Sequence, residues 1–191
     1  MAPSIATPEE ATALPRRFDG IPMRDDLEER ARRFAEQAHR GQMYGDGPFV
    51  ERHLARVVAT LRRYGETDPT LLAAARLHDT LEDTDTTVED LREAFGDDVA
   101  NIVDRLTDQP GRNRRERQAR THARIREDPR AVRVKLADRI ANVEAALEQK
   151  SNLRGMYRKE YPRFRQDLHR PGEFDAMWRD LRSEERRVGK E

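Results

Sequence analysis

Apolar residues recur along this chain at spacings of three and four, the period of helices buried on one face. Leu27, Ala31, Phe34, Ala35 and Ala38 form the first stripe, with Asp25 or Asp26 placed to cap it and Gly41 to stop it. Leu54, Val57, Val58 and Leu61 predict a second helix from about Glu51 to Tyr64, with Gly65 as its stop. Asp68-Pro69 is a cap followed by proline at the first helical position, and it opens a third helix carrying Leu71, Leu72, Ala75 and His78. Thr87 and Asp90 resemble a capping box before a short helix that ends at Phe95-Gly96. Val99, Ile102, Val103 and Leu106 give the next stripe, and DQPGRN breaks the chain after it. A charged helix is predicted from about Arg114 to Arg126. Asp128-Pro129 then opens a long one with Val132, Leu136, Ile140, Val143 and Leu147 inward.

Two more helical stretches follow, Leu153 to His169, broken or bent at Pro162, and Glu173 to Leu181, whose stripe of Phe174, Met177, Trp178 and Leu181 belongs to the core. GQMYGDGPF reads as a turn-rich connection, and no alternation is long enough to predict a strand. The expected fold class is therefore all-α, one helical domain over residues 24–181. Residues 1–23, rich in proline and mixed polarity, read as a flexible N-terminal segment. Residues 182–191, RSEERRVGKE, match one translation frame of a common sequencing adapter and are set aside from fold reasoning.

Composition narrows the chemistry. There is no cysteine, so a metal would be held by nitrogen and oxygen alone. The 37 basic and 37 acidic residues balance, which argues against a general nucleic-acid or membrane binder. No apolar run approaches a membrane span, and the cytoplasm is the expected location.

Against this background His78-Asp79 stands out. With His53 upstream and Asp138 downstream, it supplies two imidazoles and two carboxylates from three segments, a donor set suited to one divalent cation. Four protein ligands on a cation that prefers about six leave positions for water and substrate. On a continuous helix His78 stacks near Glu82 and Asp79 near Asp83, so Glu82 and Asp83 are candidates to orient the attacking water and move its protons. Lys135, Asp138 and Asn142 fall on one polar stripe of the long helix. An acid beside lysine and asparagine fits a metal site that also holds a phosphate. Lys135, Arg139 and the GRNRRERQAR segment are the candidate cations for a phosphorylated substrate, although the Arg112 to Arg120 run also reads as a solvated helix face. His39 is expected to be a buried, hydrogen-bonded histidine, and His122 and His169 to be surface residues.

With these residues in place the chain resembles the HD phosphohydrolase superfamily, and within it the hydrolase domain of RelA/SpoT-type enzymes and the small alarmone hydrolases. The matching stretches are AHRGQ (38–42), GPFVERH (47–53), AARLHDTLEDTDTT (74–87), FGDDVANIVDRLT (95–107) and VKLADRIAN (134–142). The resemblance implies one Mn²⁺ held by His53, His78, Asp79 and Asp138, with Glu82 and Asp83 serving the water and Asn142 helping to hold the nucleotide. It implies removal of the 3′-diphosphate from guanosine tetra- or pentaphosphate by a hydrolase-only protein. The alternatives are an HD hydrolase acting on another nucleotide or phosphoester, and a non-catalytic metal-containing nucleotide sensor.

Three departures bear on this expectation. Met43-Tyr44 stand where the family carries a basic pair at the purine end of the substrate. The family's Pro-Tyr-Ile-x-His becomes Pro48-Phe49-Val50-Glu51-Arg52-His53, with phenylalanine for tyrosine and one extra residue. On a helix that residue turns His53 by about 100° unless the local turn absorbs it.

Overall fold

A computed structural model describes residues 26–187, with side chains through Glu184. The expected N-terminal segment 1–23 and the last residues, 188–191, lie outside the described residues.

The first stripe forms α1 (Leu27–Ala38), and the Asp26 carboxylate caps it by accepting from the Glu29 N–H. The turn-rich connection holds a minimal hairpin, β1 (Met43–Tyr44) and β2 (Gly47–Pro48), with Tyr44 opposite Gly47. Two-residue strands are too short to leave an alternating pattern, so the hairpin was not predictable from periodicity. Its turn requires a positive φ, which Gly45 supplies at +63°. The chain then enters a single π-helical turn, Val50–Leu54, which runs directly into α2 (Ala55–Arg63).

The helix expected to carry both His78 and Glu82 is two helices. α3 (Pro69–Leu77) stops one residue before His78, and α4 (Thr80–Asp83) starts one residue after Asp79. Asp68 caps α3 as expected, accepting from the Thr70 N–H. The break places His78-Asp79 at a bend in the backbone, where ψ at Asp79 is −2°. α5 (Val88–Phe95) begins with both bonds of the Thr87–Asp90 capping box, and α6 (Asp97–Leu106) follows Gly96.

α7 (Arg114–Ile125) and α8 (Pro129–Glu148) come next. Asp128 caps α8 through the Arg130 N–H. α8 is the axis of the molecule: it packs against α2, α3, α6, α7, α9 (Leu153–Leu168) and α10 (Asp175–Arg187). Twelve of its 20 residues are buried, Asp138 and Arg139 among them. A helix enclosed on all sides needs apolar residues around its circumference, and the two buried charges need partners.

α9, expected to be broken or bent at Pro162, runs through it as one continuous helix. The carbonyl that loses its helical partner there is that of Arg158, on the exposed side, where water can take the bond. Met177, Trp178 and Leu181 of α10 are buried as the stripe predicts. α10 continues past Leu181 to Arg187, because charged helix-forming residues propagate a helix whatever their origin. No described helix is long and apolar enough to cross a membrane.

Candidate metal and phosphate site

Three elements meet beside α8. The π-helical turn brings His53, the bend between α3 and α4 brings His78 and Asp79, and α8 brings Asp138. His53 Nε2 lies 3.3 Å from His78 Nε2, and each is 3.2 Å from Asp79 Oδ2. Asp138 Oδ1 is 3.5 Å from the His53 nitrogen and 3.7 Å from the His78 nitrogen. Donors about 2.1 Å from one ion lie about 3.0 Å apart at right angles and about 3.4 Å apart at the tetrahedral angle. The separations among His53, His78 and Asp138 match a shared cation, and Asp79 lies within reach of both imidazoles. His53, His78 and Asp138 are all buried, with donor atoms mutually within 4.8 Å.

The extra residue before His53 is absorbed by the π-helical turn. The Ala55 N–H bonds to the Val50 carbonyl, five residues back instead of four. Such a turn holds one residue more than an α-turn, so His53 keeps its direction. Its ring packs against two aromatic neighbours: Tyr44 stacks on it with centroids 5.2 Å apart, and Phe49 lies at the same distance. The residues that depart from the family pattern therefore support the imidazole.

The tautomer of His78 is also set. Its Nδ1 lies 3.0 Å from the Ala75 carbonyl, which can only accept, so Nδ1 carries the proton and Nε2 offers its lone pair to the site. Burial alone would lower the pKa of His78. The Asp79 and Asp138 carboxylates outweigh burial and raise it to about 9. Burial likewise opposes ionisation of Asp138, yet Lys135 and His78 hold it well below the usual carboxylate range. The donor set is thus a field that favours positive charge, and it fits a divalent cation.

The polar stripe of α8 forms as predicted. Lys135 Nζ donates to Asp138 Oδ2 at 3.0 Å, and Asn142 Nδ2 donates to Asp138 Oδ1 at 2.5 Å. Tyr44 adds an unforeseen link, its hydroxyl donating to Asn142 Oδ1 at 2.9 Å. Arg139 is buried beneath the stripe. Its guanidinium stacks over Tyr157 at 4.5 Å and pairs with Glu160 at 3.3 Å.

Glu82 and Asp83 part company. Glu82 lines a cavity of about 150 Å³ together with Lys135, Asp138, Asn142 and Arg139. It stands at the solvent-open mouth, accepting the Asp108 N–H at 2.6 Å. The surrounding walls still remove enough water to push its carboxyl up to about 7, against the pull of the Asp108 N–H and Lys135. Asp83 accepts from Gln42 Nε2 at 3.1 Å and lines a separate surface recess beside Arg40. Glu82 and Asp83 are consecutive residues of α4, so their side chains leave the helix about 100° apart and meet different surroundings.

His39 is buried, with Nδ1 2.6 Å from the Gln42 amide oxygen. His122 corrects the expectation of a surface residue. It is 5% exposed, bonded to Asp167 at 2.8 Å, and it lines the same cavity as Glu82. His169 is half-buried against the edge of Trp178. In the arginine run, Arg112 and Arg120 pair with Glu116, while Arg114, also exposed, reaches across to Glu160 on α9 at 2.6 Å.

A two-histidine, two-carboxylate cluster at a helix bend, backed by a lysine-bearing helix, coincides with a profile match. The HD domain profile covers residues 31–162. The chain belongs to the HD domain family. Among curated relatives, the guanosine-3′,5′-bis(diphosphate) 3′-pyrophosphohydrolase of Aquifex aeolicus is 38% identical over 120 residues, spanning 61% of this chain and 17% of that protein. MESH1 of Danio rerio, which carries the same enzyme name, is 42% identical over 116 residues, spanning 58% of this chain and 63% of that protein. The chain spans less than two thirds of the length of these relatives. A solved structure described as a metazoan ortholog of SpoT that hydrolyses ppGpp superposes with a TM-score of 0.74 at 28% identity, covering 86% of this chain and 97% of that one.

Proposed function

We propose that this protein is a metal-dependent phosphohydrolase that removes the 3′-diphosphate of guanosine tetra- or pentaphosphate, with Mn²⁺ as its ion. The observation that carries the reading is the meeting of four donors, from three elements of an HD domain, beside a cavity that also holds Glu82 and Lys135. The names of the relatives direct the choice of substrate. A guanine-nucleotide substrate also fits the cytoplasmic location expected from the sequence.

His53, His78, Asp79 and Asp138 would hold the ion. When bound, the ion makes water a better nucleophile at neutral pH and polarises the phosphoryl oxygens. Glu82 accepts the proton of that water, a task suited to a carboxyl tuned near neutrality. Asp83 contributes through Gln42, holding the turn that leads into the hairpin. Lys135 offsets phosphate charge, and Asn142 holds the nucleotide once its bond to Tyr44 is exchanged for one to substrate. Arg139 is committed to Glu160 and shapes the wall. Next to this cavity, Arg114, which lines both, joins Arg115, Lys159 and Arg163 along a groove of about 560 Å³ between α7 and α9, a surface suited to the remaining phosphates.

One observation favours a second reading with the same metal chemistry. Met43 and Tyr44 bring no cation to the purine end, so another nucleotide or phosphoester is the rival substrate. Purified protein with Mn²⁺ should release pyrophosphate from guanosine tetraphosphate faster than it acts on any other member of a nucleotide panel. Turnover of other members alone would end the alarmone reading. Turnover of none, with a nucleotide raising the melting temperature, would make the protein a sensor.

A further inference from the structure

His122 and Asp167 play no part in the scheme above. His122 enters the cavity from α7, and Asp167 reaches it from α9. The His122 ring is 5% exposed and packs edge-on against Phe164, with centroids 5.5 Å apart and planes at 79°. Nδ1 meets Asp167 Oδ2 at 2.8 Å, and an ionised carboxylate only accepts, so Nδ1 carries the proton. Nε2 is left for the cavity that Glu82, Lys135, Asp138 and Asn142 also line. The ring is oriented by a half-buried acid and presents its other nitrogen to the space where substrate would lie.

The surroundings supply both signs of charge. Asp167 faces the ring directly, and Arg163 lies 3.6 Å from the same carboxylate oxygen. Lys135 on α8 and Asp108 in the loop before α7 act on the imidazole from the cavity side. Burial keeps the free imidazole below its usual pKa, while Asp167 pulls the other way. An incoming phosphate adds negative charge and favours the imidazolium. The same loop ties the two cavity walls together. The Gln109 N–H donates to Thr121 Oγ1 at 2.9 Å, next to His122, while the Asp108 N–H donates to Glu82.

Resting on the phosphohydrolase reading, we infer that His122 is a catalytic acid of this site, held by Asp167 to protonate the leaving oxygen of the phosphoester. Water adds to the phosphorus and gives its proton to Glu82. The P–O ester bond breaks with its electron pair remaining on the ester oxygen. That oxygen takes the Nε2 proton of the His122 imidazolium, leaving a hydroxyl on one product and a phosphate or diphosphate as the other. Glu82 then loses a proton and His122 regains one, restoring the site.

The test compares wild type, His122→Gln, His122→Ala and Asp167→Asn in Mn²⁺, on the best substrate found in the nucleotide panel. His122→Gln should lower kcat by about 10²- to 10⁴-fold, the range of general acid–base catalysis, with KM changed less than about threefold and metal content unchanged. Added imidazole should restore at least about tenfold of the rate lost in His122→Ala, entering the space left by the ring. Asp167→Asn should lose rate with the metal retained. A His122→Gln enzyme within about threefold of wild-type kcat overturns the inference. So does a folded, metal-loaded His122→Ala enzyme that imidazole does not rescue, because a packing role has no use for a free base. If His122→Ala does not fold, the kcat and KM of His122→Gln decide. A wild-type protein that hydrolyses nothing defeats the phosphohydrolase reading first, and this inference with it.

Discussion

Substituting Asp138 and substituting Glu82 break the site in different ways. Asp138 is buried, bonded to Lys135 and Asn142, and shares the space between the two imidazoles. Asp138→Ala should therefore lose metal and activity together, seen as absence of manganese by elemental analysis and absence of turnover. Glu82 touches none of those donors. Glu82→Gln should keep the metal and the melting temperature and lose about 10²- to 10⁴-fold in kcat. Wild-type rates in that variant would remove Glu82 from proton transfer. The wild-type rate should also fall as pH drops through the Glu82 pKa, because only the ionised carboxylate can accept a proton. That limb lies at or below about 7, since a nearby cation lowers the value. The residues proposed for these roles could be picked out in sequence because the choice follows from residue type: imidazole and carboxylate bind metals, and lysine beside an acid neutralises it. Burial was not legible. His122 sits among charged neighbours in sequence, yet Thr121, His122 and Ile125 form the buried edge of α7. A three-and-four spacing of Gln118, Thr121, His122 and Ile125 was the available signal, and the polarity of the first three masked it.

At the scale of elements, caps and stops were the readable part. Asp26, Asp68, Thr87 and Asp128 each hold the helix start that the sequence assigns them, because a cap is a local bond between residues two or three apart. The bend after Leu77, the hairpin and the π-helical turn depend on what they pack against, and periodicity carries no trace of them. The π-helical turn makes its own prediction. Deleting exposed Glu51 removes the one surplus residue and lets Val50–Leu54 close as an ordinary α-turn. His53 should keep its direction, and manganese affinity should stay within about tenfold of wild type. Deleting exposed Ala59, which lies beyond the turn in regular α2, instead rotates one flank of the helix by about 100° against the other. That variant should lose Val57, Val58 or Leu61 from the core, and metal binding and helical circular dichroism with them. If the Glu51 deletion lost the metal while keeping its helicity, the turn would be doing more than absorbing a residue.

For the molecule as a whole, the four proposed donors would also cross-link elements. His53 leads into α2, His78-Asp79 joins α3 to α4, and Asp138 lies on the axial α8. A cation held by all of them binds the folded chain and not the unfolded one, where the donors are scattered. At a hundredfold excess over Kd this linkage contributes about 2.7 kcal/mol. For a chain of this length that is a rise of roughly 5–11 °C in Tm. The size of the rise should depend on pH. In the metal-free protein the His78 pKa is raised above its unfolded value to about 9. A raised pKa contributes stability that is fully present below the unfolded value, about 6.5, and is lost as pH rises through about 9. On the proposed ligand set the proton and a bound cation would compete for the same place beside His78, and the metal-loaded protein would not have this proton to lose. The metal-free melting temperature should thus gain less from His78 at pH 8.5 than at pH 6.5, while the increment on adding Mn²⁺ grows over the same interval. Thermal melts at pH 6.5, 7.5 and 8.5, with and without Mn²⁺, measure both trends. Asp138→Ala should abolish the increment at every pH. An increment of constant size in the wild type would mean that the cation does not displace a proton from His78, and the ion would then have to sit elsewhere than between these imidazoles.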